Sequence, residues 1–429
     1  MALSIRAQAA QDPSRKSLMW EIIPNLWDPA TNPQGFVSLG VAENTMMHDA
    51  LAKHIQENIA LKNSAFTYGD GTLGSKRLKN AVSRFMTRHL RPVVPIDPSH
   101  VSITNGCSAA LEHLSWALAN PGEGFLLGQP YYGTFLPDLT LRFGAKVLPV
   151  PFHDIDPFAE DAVKKYEDIL LDAQARGQTV SGLVISHPHN PLGRCYPRSV
   201  LIKLMQLCEG HKIHFISDEI YALSVWSNTI DKHPPPIPFE SALSIDPTGI
   251  IDPARIHVLW GMSKDFGANG IRVGAIISQA NPSLHAALVP VGLYSSASSI
   301  SDHITANVLE DDSWVEAYMA ENQRMLSGRY ELVVKWAKQY EIAYAPGVNA
   351  AFFLWVNLGE AYGKKHVLAE SEDVTDITMQ KLLAHKVFLA SGTAFGAEKP
   401  GWFRIVFSHD EDYLNEGLRR IIAALSLHD

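Results

Sequence analysis

The sequence predicts an α/β protein with a large domain built on a mostly parallel sheet covered by helices on both faces. From about residue 100 to 280, short apolar runs typical of buried strands alternate with longer stretches whose apolar residues recur at helical spacing. Polar or charged residues follow several of these apolar runs, where parallel sheets place their ligand-binding residues. After about residue 300 the pattern changes to long helical stretches, which predicts a second, smaller α/β domain.

The predicted elements follow one another in a regular order. The strands lie in HVSITNG, GFLLGQP, AKVLPVPF, SGLVISHPHNPLG, KIHFISDEIY, ARIHVLWGMSK and RVGAIIS. Between them, helices lie in CSAALEHLSWALAN, in AEDAVKKYEDILLDAQARG, which Gly177 closes, and in PRSVLIKLMQLCEG. We expect residues 1–48 to form an N-terminal arm and part of the smaller domain. Residues 49–300 should form the large domain, and residues 301–429 the rest of the small one.

Composition narrows the class of protein and its partners. With 46% hydrophobic and 19% charged residues among 429, the chain is typical of a globular enzyme. A formal charge of −9 argues against nucleic acid or an anionic membrane as the main partner. The three cysteines suggest neither a disulfide framework nor a zinc site, so we expect no metal. Lacking a signal-peptide pattern or a spanning apolar run, the chain is expected to be soluble and cytoplasmic.

A lysine and an arginine follow the apolar run at residues 256–260. Lys264 could be solvated and paired with Asp265, as most lysines at a helix start are. It could also be a partly desolvated nucleophilic amine that forms a Schiff base with a carbonyl cofactor. Arg272 favours the second interpretation, because Ser263 and neighbouring glycines complete a pattern typical of a phosphate site beside an amine.

A second part of this phosphate site is predicted at NGCSAA. Gly106 ends a strand, and the next helix starts at Cys107 and Ser108. The free N–H groups and the dipole of a helix start can hold a dianion. Ser108 could also be an ordinary N-cap, a role that is compatible with phosphate binding.

Further polar and aromatic residues follow other strands. Asp218 either caps the next helix or pairs, as a buried carboxylate, with a protonated pyridine nitrogen. Tyr221 and Asn190 could hydrogen-bond a phenolic oxygen of the same ring, although each could equally be structural. Tyr132 could lie over the ring face or simply pack.

Taken together, four motifs resemble a known family. SKDFGANGIRVG after a strand, HNPLG, SDEIY and GWFRIVFSH occur in the right order over nearly the whole chain. They are similar to the fold-type I enzymes that depend on pyridoxal 5′-phosphate, the aspartate aminotransferase superfamily. GVAENTMMHDAL, PYYGTFLPDLTLRFGAKVLPV and NAAFFLWVNL most resemble the 1-aminocyclopropane-1-carboxylate synthase-like branch.

The resemblance implies a cofactor, pyridoxal 5′-phosphate, and roles for individual residues in amino acid metabolism. It gives catalytic roles to Lys264, Asp218 and Tyr221. It places the cofactor against Lys264, Asn190, Asp218, Tyr221, Ser263, Arg272, Cys107, Ser108, Tyr132 and Tyr68. Tyr68 would reach the cofactor phosphate of a neighbouring subunit, which implies a homodimer.

The substrate side of the site is implied by two residues. Arg404, taken alone, reads as a surface arginine near a strand, whereas the resemblance makes it the clamp for the substrate α-carboxylate. Glu43, either a helix-start glutamate or a site residue, matches the branch's AEN motif. The sequence departs from the family's usual pattern at two places. Gly261 stands where the family usually has a phosphate-binding serine, and the loop after Tyr68 is one residue longer than usual.

The resemblance favours a carbon–sulfur lyase acting on an α-amino acid, by ring closure on S-adenosylmethionine or β-elimination from a cysteine-type conjugate. The alternative is an aminotransferase that exchanges an amino group with a 2-oxo acid. A dicarboxylate aminotransferase would want a second arginine, for which Arg142 is the nearest candidate, although a surface role suits it better. A non-catalytic regulator is disfavoured because the cofactor positions are filled. A zinc hydrolase on His187 and His189 lacks a third ligand.

Overall fold

A computed structural model describes residues 3–4, 7–8, 10–11, 18–367, 369 and 372–426. Parts of two predicted segments, residues 1–48 and 301–429, therefore lie outside the described residues. The strands are β1 Val37–Ser38, β2 Val101–Thr104, β3 Gly124–Gly128, β4 Lys146–Val150, β5 Val180–Ser186, β6 His214–Asp218, β7 Ile256–Gly261, β8 Gly274–Ile277, β9 Ala343–Tyr344, β10 Phe353–Asn357, β11 Val387–Phe388, β12 Ala390–Ser391 and β13 Trp402–Val406.

The helices fall between and after these strands. They are α1 Met19–Ile22, α2 His48–Asn58, α3 Lys76–Leu90, α4 Cys107–Leu118, α5 Phe135–Thr140, α6 Ala162–Ala175, α7 Arg198–His211, α8 Met262–Asp265, α9 Pro282–Gly292, α10 Ser299–Glu310, α11 Asp312–Gln339, α12 Leu358–Gly363, α13 Val374–Ala384 and α14 Glu411–Leu425. As predicted, a left-handed glycine, Gly177, follows α6.

Seven strands form the large sheet, in the order β2-β8-β7-β6-β5-β3-β4. The strands from β3 to β7 pair in parallel, whereas β8 runs antiparallel to both of its neighbours. The predicted α/β class with a mostly parallel sheet is therefore confirmed.

Both faces of this sheet are buried, because successive residues of one strand join different apolar clusters. In β7, Val258 and Trp260 lie in one cluster and Leu259 lies in another. A parallel sheet with both faces covered needs such a continuous apolar run, which explains the sequence IHVLW.

The C-terminal third contributes a four-stranded antiparallel sheet in the order β12-β13-β10-β9. Beside it, β1 near the N-terminus pairs in parallel with β11, with Val37 opposite Val387. A third apolar cluster joins residues of both regions, including Leu39 and Phe407. The division of the chain at residues 48 and 300 stays a prediction. In the described part of the chain, no helix is both long enough and apolar enough to cross a membrane.

Candidate active site

Predicted polar residues gather at the carboxyl edge of the large sheet. Asp218 is the last residue of β6, and Lys264 lies in α8, directly after β7. Asn190 follows β5. Because β5, β6 and β7 are adjacent and parallel, their carboxyl ends bring these three residues to one place.

Lys264 is a half-buried amine without a contacting carboxylate among the described residues. Its Nζ donates to the carbonyl oxygen of Ala42 at 2.6 Å. Burial, together with the charge of Arg404, lowers the pKa of Lys264 to about 8. Glu43 and Asp218 act in the opposite direction on the same pKa. Near neutral pH, a larger share of this amine is therefore unprotonated than in an ordinary lysine.

Asp218 is a buried carboxyl with unused hydrogen-bonding capacity. It is 6% exposed, and its carboxylate accepts one hydrogen bond from the described residues, from the N–H of Ile220 at 3.3 Å. Burial raises the pKa of Asp218 to about 7, while Lys264 favours the charged form. A buried carboxylate needs a cationic or N–H partner, so this position suits a ligand that brings one.

Arg404 on β13 is the most deeply buried cation of the site, at 3% exposure. The surface interpretation of this arginine was therefore wrong. Its Nη1 donates to Oδ1 of Asn190 and its Nη2 to the carbonyl oxygen of Gly40, both at 2.8 Å. Nε has no partner, and no carboxylate of the described residues pairs with the guanidinium.

Two aromatic rings enclose the Arg404 guanidinium. Its central carbon lies 5.0 Å from the ring centroid of Phe353 and 4.9 Å from that of Phe395. Rings at this distance attract the cation and exclude water. A buried guanidinium with a spare donor and no counter-ion fits a small carboxylate ligand.

The start of α4 is the segment predicted to be the anion cradle, and Gly106 and Arg272 meet there. Gly106 precedes it with φ of 86°, and Arg272, itself in the left-handed region at φ of 58°, lies against it. A Cβ on Gly106 would stand 2.3 Å from Nη2 of Arg272, so only glycine allows this approach. The guanidinium donates only to carbonyl oxygens, those of Asn269 at 2.8 Å and Asn105 at 3.4 Å. Exposed Ser108 stands on the same first turn of α4.

Glycine at position 261 has a local explanation. A Cβ there would lie 2.7 Å from the carbonyl oxygen of Val273 and 3.1 Å from Sγ of Cys107. A serine at this position would push against the backbone of the next strand. Ser263, two residues after Gly261, is buried.

Two tyrosines, Tyr132 and Tyr221, lie within electrostatic reach of Arg404 and Asp218. Tyr221 is buried, packs edge-on against Phe352 and Phe353 at 5.3 Å, and forms no hydroxyl hydrogen bond with any described residue. Burial raises the pKa of Tyr221 well above its ordinary value, and Arg404 lowers it. Tyr132 packs edge-on against Phe135 at 5.3 Å and is partly accessible.

The AEN segment lies directly over the loop that follows Lys264. Oε1 of Glu43 accepts a hydrogen bond from Nδ2 of Asn269 at 2.7 Å. A Cβ on Gly267 would stand 2.2 Å from the carbonyl oxygen of Asn44, so segment and loop are in close contact. Glu43 thus lies within electrostatic reach of Lys264.

Tyr68 is the predicted residue that this single chain does not bring to the others, since its side chain is 99% exposed.

Arg142 pairs with Glu112 at 2.8 Å, and its side chain is largely exposed, as expected of a surface arginine. Nε2 of His187 forms a hydrogen bond with the carbonyl oxygen of Glu240. Nδ1 of His189 accepts a hydrogen bond from the N–H of Leu192.

Sequence reasoning missed Asp138 and Phe395. Asp138 lies within electrostatic reach of Asp218 and Cys107, yet nothing in the spacing of LPDLTL links it to either. Its one signal is a lone charge within an apolar run. Phe395 encloses Arg404 from a segment that follows β12, and no local pattern predicts that contact.

Known proteins match nearly the whole chain. The family model described as aminotransferase class I and II matches residues 35–421. A 1-aminocyclopropane-1-carboxylate synthase 1 from Oryza sativa subsp. indica is 32% identical over 408 residues, which cover 90% of this chain and 80% of that protein. A "probable inactive 1-aminocyclopropane-1-carboxylate synthase-like protein 2" from Mus musculus is 30% identical, covering 92% and 67%. In fold, the chain is similar to an aspartate aminotransferase from Thermotoga maritima, with a TM-score of 0.73, 20% identity and coverage of 99% and 100%.

Proposed function

The chain belongs to the aminotransferase class I and II family, and on that premise we propose that it is a pyridoxal 5′-phosphate-dependent carbon–sulfur lyase acting on an α-amino acid. One observation carries the amino acid part of this proposal. Arg404 is buried and enclosed by aromatic rings, has a spare Nε donor and lacks a counter-ion among the described residues. A substrate α-carboxylate would satisfy it.

The donor set fits the cofactor. Arg272, Ser263, Ser108 and the N–H groups from Cys107 onward would hold the phosphate, because they offer hydrogen-bond donors and Arg272 contacts no carboxylate of the described residues. We propose the remaining contacts for Asp218 on the ring nitrogen, Asn190 and Tyr221 on the phenolic oxygen, and Tyr132 on the ring face. When bound, pyridoxal 5′-phosphate supplies an aldehyde for an amine and a ring that accepts the electron pair left by proton removal.

Different residues of the chain then have different roles in the reaction. Lys264, whose pKa lies at about 8, offers an unprotonated amine and can take and return the α-proton. Arg404 orients the substrate through its carboxylate, while Phe353 and Phe395 exclude water from that ion pair. Asp218 would accept a hydrogen bond from the protonated ring nitrogen, since its carboxylate otherwise accepts only one, from the N–H of Ile220, among the described residues.

Two features support a lyase over a dicarboxylate aminotransferase. Glu43 places a negative charge beside Lys264, which disfavours a substrate with a second carboxylate there. Arg142, the nearest candidate for a second clamp, is occupied by Glu112 at the surface. The resemblance to 1-aminocyclopropane-1-carboxylate synthases also supports a lyase. One similar protein is named probable inactive, but this chain has the residues proposed to hold the cofactor, which argues that it is not an inactive protein.

An aminotransferase acting on neutral amino acids is the second candidate, because such a substrate also needs only one arginine clamp. The two activities are separated by supplying a sulfur-bearing amino acid without any 2-oxo acid. A lyase turns over repeatedly: β-elimination releases ammonia, a 2-oxo acid and the sulfur fragment, whereas ring closure releases the cyclic amino acid and the sulfur fragment without ammonia. A single stoichiometric turnover that 2-oxoglutarate or pyruvate restarts identifies an aminotransferase and overturns the lyase proposal.

We also propose a homodimer in which Tyr68 serves the partner's cofactor. Phe66, Tyr68, Leu293 and Tyr294 are all exposed. Their two segments are joined by a hydrogen bond from Oγ of Ser299 to the carbonyl oxygen of Thr67 at 2.8 Å. This region adjoins the anion cradle, since the N–H of Asn105 donates to the carbonyl oxygen of Ser295 at 2.8 Å. Light scattering should give twice the chain mass, and Tyr68→Phe should weaken cofactor binding without changing that mass. A fully active monomer contradicts the proposal.

A further inference from the structure

The segment that carries Glu43 contacts both Lys264 and Arg404. The carbonyl oxygen of Gly40 accepts a hydrogen bond from Nη2 of Arg404 at 2.8 Å. The carbonyl oxygen of Ala42 accepts one from Nζ of Lys264 at 2.6 Å. Glu43 is the next residue of this segment. Its backbone is therefore fixed beside both the proposed reactive amine and the proposed carboxylate clamp.

The Glu43 carboxylate is held by a neutral side chain. Nδ2 of Asn269 donates to its Oε1 at 2.7 Å, and both side chains are partly buried. Oε2 accepts no hydrogen bond from a described residue, and none of the ion pairs within the described part of the chain includes Glu43. An amide is uncharged and donates through its NH₂ group. Asn269 therefore fixes one carboxylate oxygen, cancels no charge, and leaves the other oxygen for a donor on a ligand.

Asn269 is itself fixed through its backbone. It begins the short 3₁₀ turn Asn269–Ile271, which follows α8, and its carbonyl oxygen accepts from Nη1 of Arg272 at 2.8 Å. Two residues earlier, a Cβ on Gly267 would stand 2.2 Å from the carbonyl oxygen of Asn44. The loop and the segment thus touch at two points. Because the contact with Arg272 uses the backbone, a change of the Asn269 side chain does not remove it.

We infer that Asn269 is a positioning residue that fixes the Glu43 carboxylate between the amine and the carboxylate clamp while leaving its charge intact. The inference rests on the proposed function, in which Glu43 faces the substrate, and adds a residue that touches neither substrate nor cofactor through its side chain. Without this hydrogen bond, the Glu43 side chain is free to rotate toward solvent. Fixing it in advance removes that freedom before the substrate binds.

The first test compares Asn269→Ala with the wild type, using an amino acid that the wild type turns over. The loss of a hydrogen bond to a charged group should lower kcat/KM by roughly 5- to 30-fold. Affinity for pyridoxal 5′-phosphate should barely change, because the contact with Arg272 remains. An unchanged kcat/KM, or an equal loss of cofactor affinity, contradicts the positioning role.

A double-mutant cycle shows whether Asn269 acts through Glu43. In a chain that already carries Glu43→Ala, Asn269→Ala should cause no further loss of kcat/KM, because the side chain that it positions is gone. Losses that simply multiply overturn the inference. The same cycle, measured by urea unfolding of the cofactor-free chain, detects the contact without any turnover. Coupling in unfolding without coupling in kcat/KM means that the contact is only structural, which also overturns the inference.

Asn269→Asp gives a readout that a merely structural contact does not predict. The introduced carboxyl group keeps the shape but donates to Glu43 only while it is protonated, and two ionised carboxylates repel each other. The ratio of its kcat/KM to that of the wild type at the same pH should therefore be near one at about pH 5 and fall as the pH rises to about 8. The matched control is Asn80→Asp on α3, an exposed asparagine that donates to the carbonyl oxygen of Lys76 at 2.7 Å.

The control ratio should not change with pH. A constant ratio for Asn269→Asp, or one that changes no more than the control, overturns the inference. If the wild type binds no cofactor and turns over no amino acid, the proposed function fails instead. In that case uncoupled unfolding energies for Asn269→Ala and Glu43→Ala contradict the contact itself.

Discussion

Two arginines in the C-terminal third are almost equally buried, Arg404 at 3% and Arg420 at 8% exposure, but their surroundings differ. Arg420 on α14 uses every nitrogen. Nε donates to Glu416 at 2.6 Å, Nη1 to the carbonyl oxygens of Gly35 and Lys386, and Nη2 to that of Pro33. Arg404 has a spare Nε and no carboxylate. Burial alone does not mark a binding residue, whereas a buried charge with unused donors does.

The same contrast separates the adjacent carboxyls Asp218 and Glu219. Glu219 is fully buried and accepts hydrogen bonds from the hydroxyls of Ser217 at 3.0 Å and Ser241 at 2.6 Å and from the N–H of Ala242 at 2.8 Å. Asp218 has one long backbone hydrogen bond. Adjacent residues point to opposite faces at the end of a strand, which lets one serve the fold and the other a ligand.

We expect the largest effect from a comparison of Lys264 with its neighbour Asp265. The Asp265 carboxylate accepts hydrogen bonds from Ser224 and Trp260. Lys264→Ala should reduce turnover by roughly 10⁴-fold or more and abolish borohydride trapping of the cofactor, because the proton-transferring amine is gone. Asp265→Asn should chiefly lower thermal stability. If borohydride labels a different lysine, the assignment of Lys264 is wrong.

A smaller effect is expected from Asp218 and Glu219. Asp218→Asn should slow α-proton removal by roughly 10²- to 10³-fold, because an electrostatic partner of the ring is lost. Stopped-flow spectroscopy measures this rate. Glu219→Gln should leave the rate within error and lower the free energy of unfolding by roughly 1–3 kcal/mol. The reverse pattern would mean that hydrogen-bond completeness does not separate the two roles.

For the arginines, Arg404→Lys keeps the charge and removes the planar fork. The loss of roughly 1.5–3 kcal/mol of charge-assisted hydrogen bonding corresponds to about 10- to 150-fold in kcat/KM. Cofactor affinity should barely change. Arg420→Lys is the matched control and should lower unfolding free energy by roughly 1–3 kcal/mol with kcat/KM unchanged. Release of the cofactor by Arg404→Lys would place Arg404 in the phosphate site or the fold.

The pH dependence of the free energy of unfolding tests the role of Glu219. Burial raises the pKa of Glu219 from 4.5 to about 7 in the folded chain. The contribution that this raised pKa makes to the free energy of unfolding is therefore fully present below about pH 4.5 and is lost as pH rises through 7. Urea unfolding of wild type and Glu219→Gln at several pH values should show a difference that changes over this window. A constant difference would contradict the raised pKa.

The smallest effect concerns Arg142. Because the Arg142 side chain is 63% exposed, Arg142→Ala should change unfolding free energy by no more than about 1 kcal/mol. We expect kcat/KM for amino acids with one or two carboxylates to stay the same. A selective loss for a dicarboxylate substrate would make Arg142 the second clamp and favour the aminotransferase.

Local signals were enough to predict the strands and the residues at their ends. Lys264 and Asp218 follow apolar runs, and the rule for parallel sheets places them together. The burial of Arg404 could not be predicted in this way, since its partners Asn190 and Gly40 lie 214 and 364 residues away in the chain. Asp138 lies within electrostatic reach of Cys107 only because α5 packs on α4, a contact that neither segment encodes alone.

The pairing of β1 with β11 has a consequence for the order of folding. Val37 meets Val387, and the N–H of Val406 donates to the carbonyl oxygen of Leu39 at 2.8 Å. Contacts that span some 350 residues close late, because the chain must pay a large loop entropy first. During synthesis, Val37 and Leu39 have none of the strand partners that the structure shows until the ribosome has made nearly the whole chain, whereas Ala42 can meet Lys264 earlier. A nascent or C-terminally truncated chain should therefore be inactive and expose an unpaired apolar segment to chaperones.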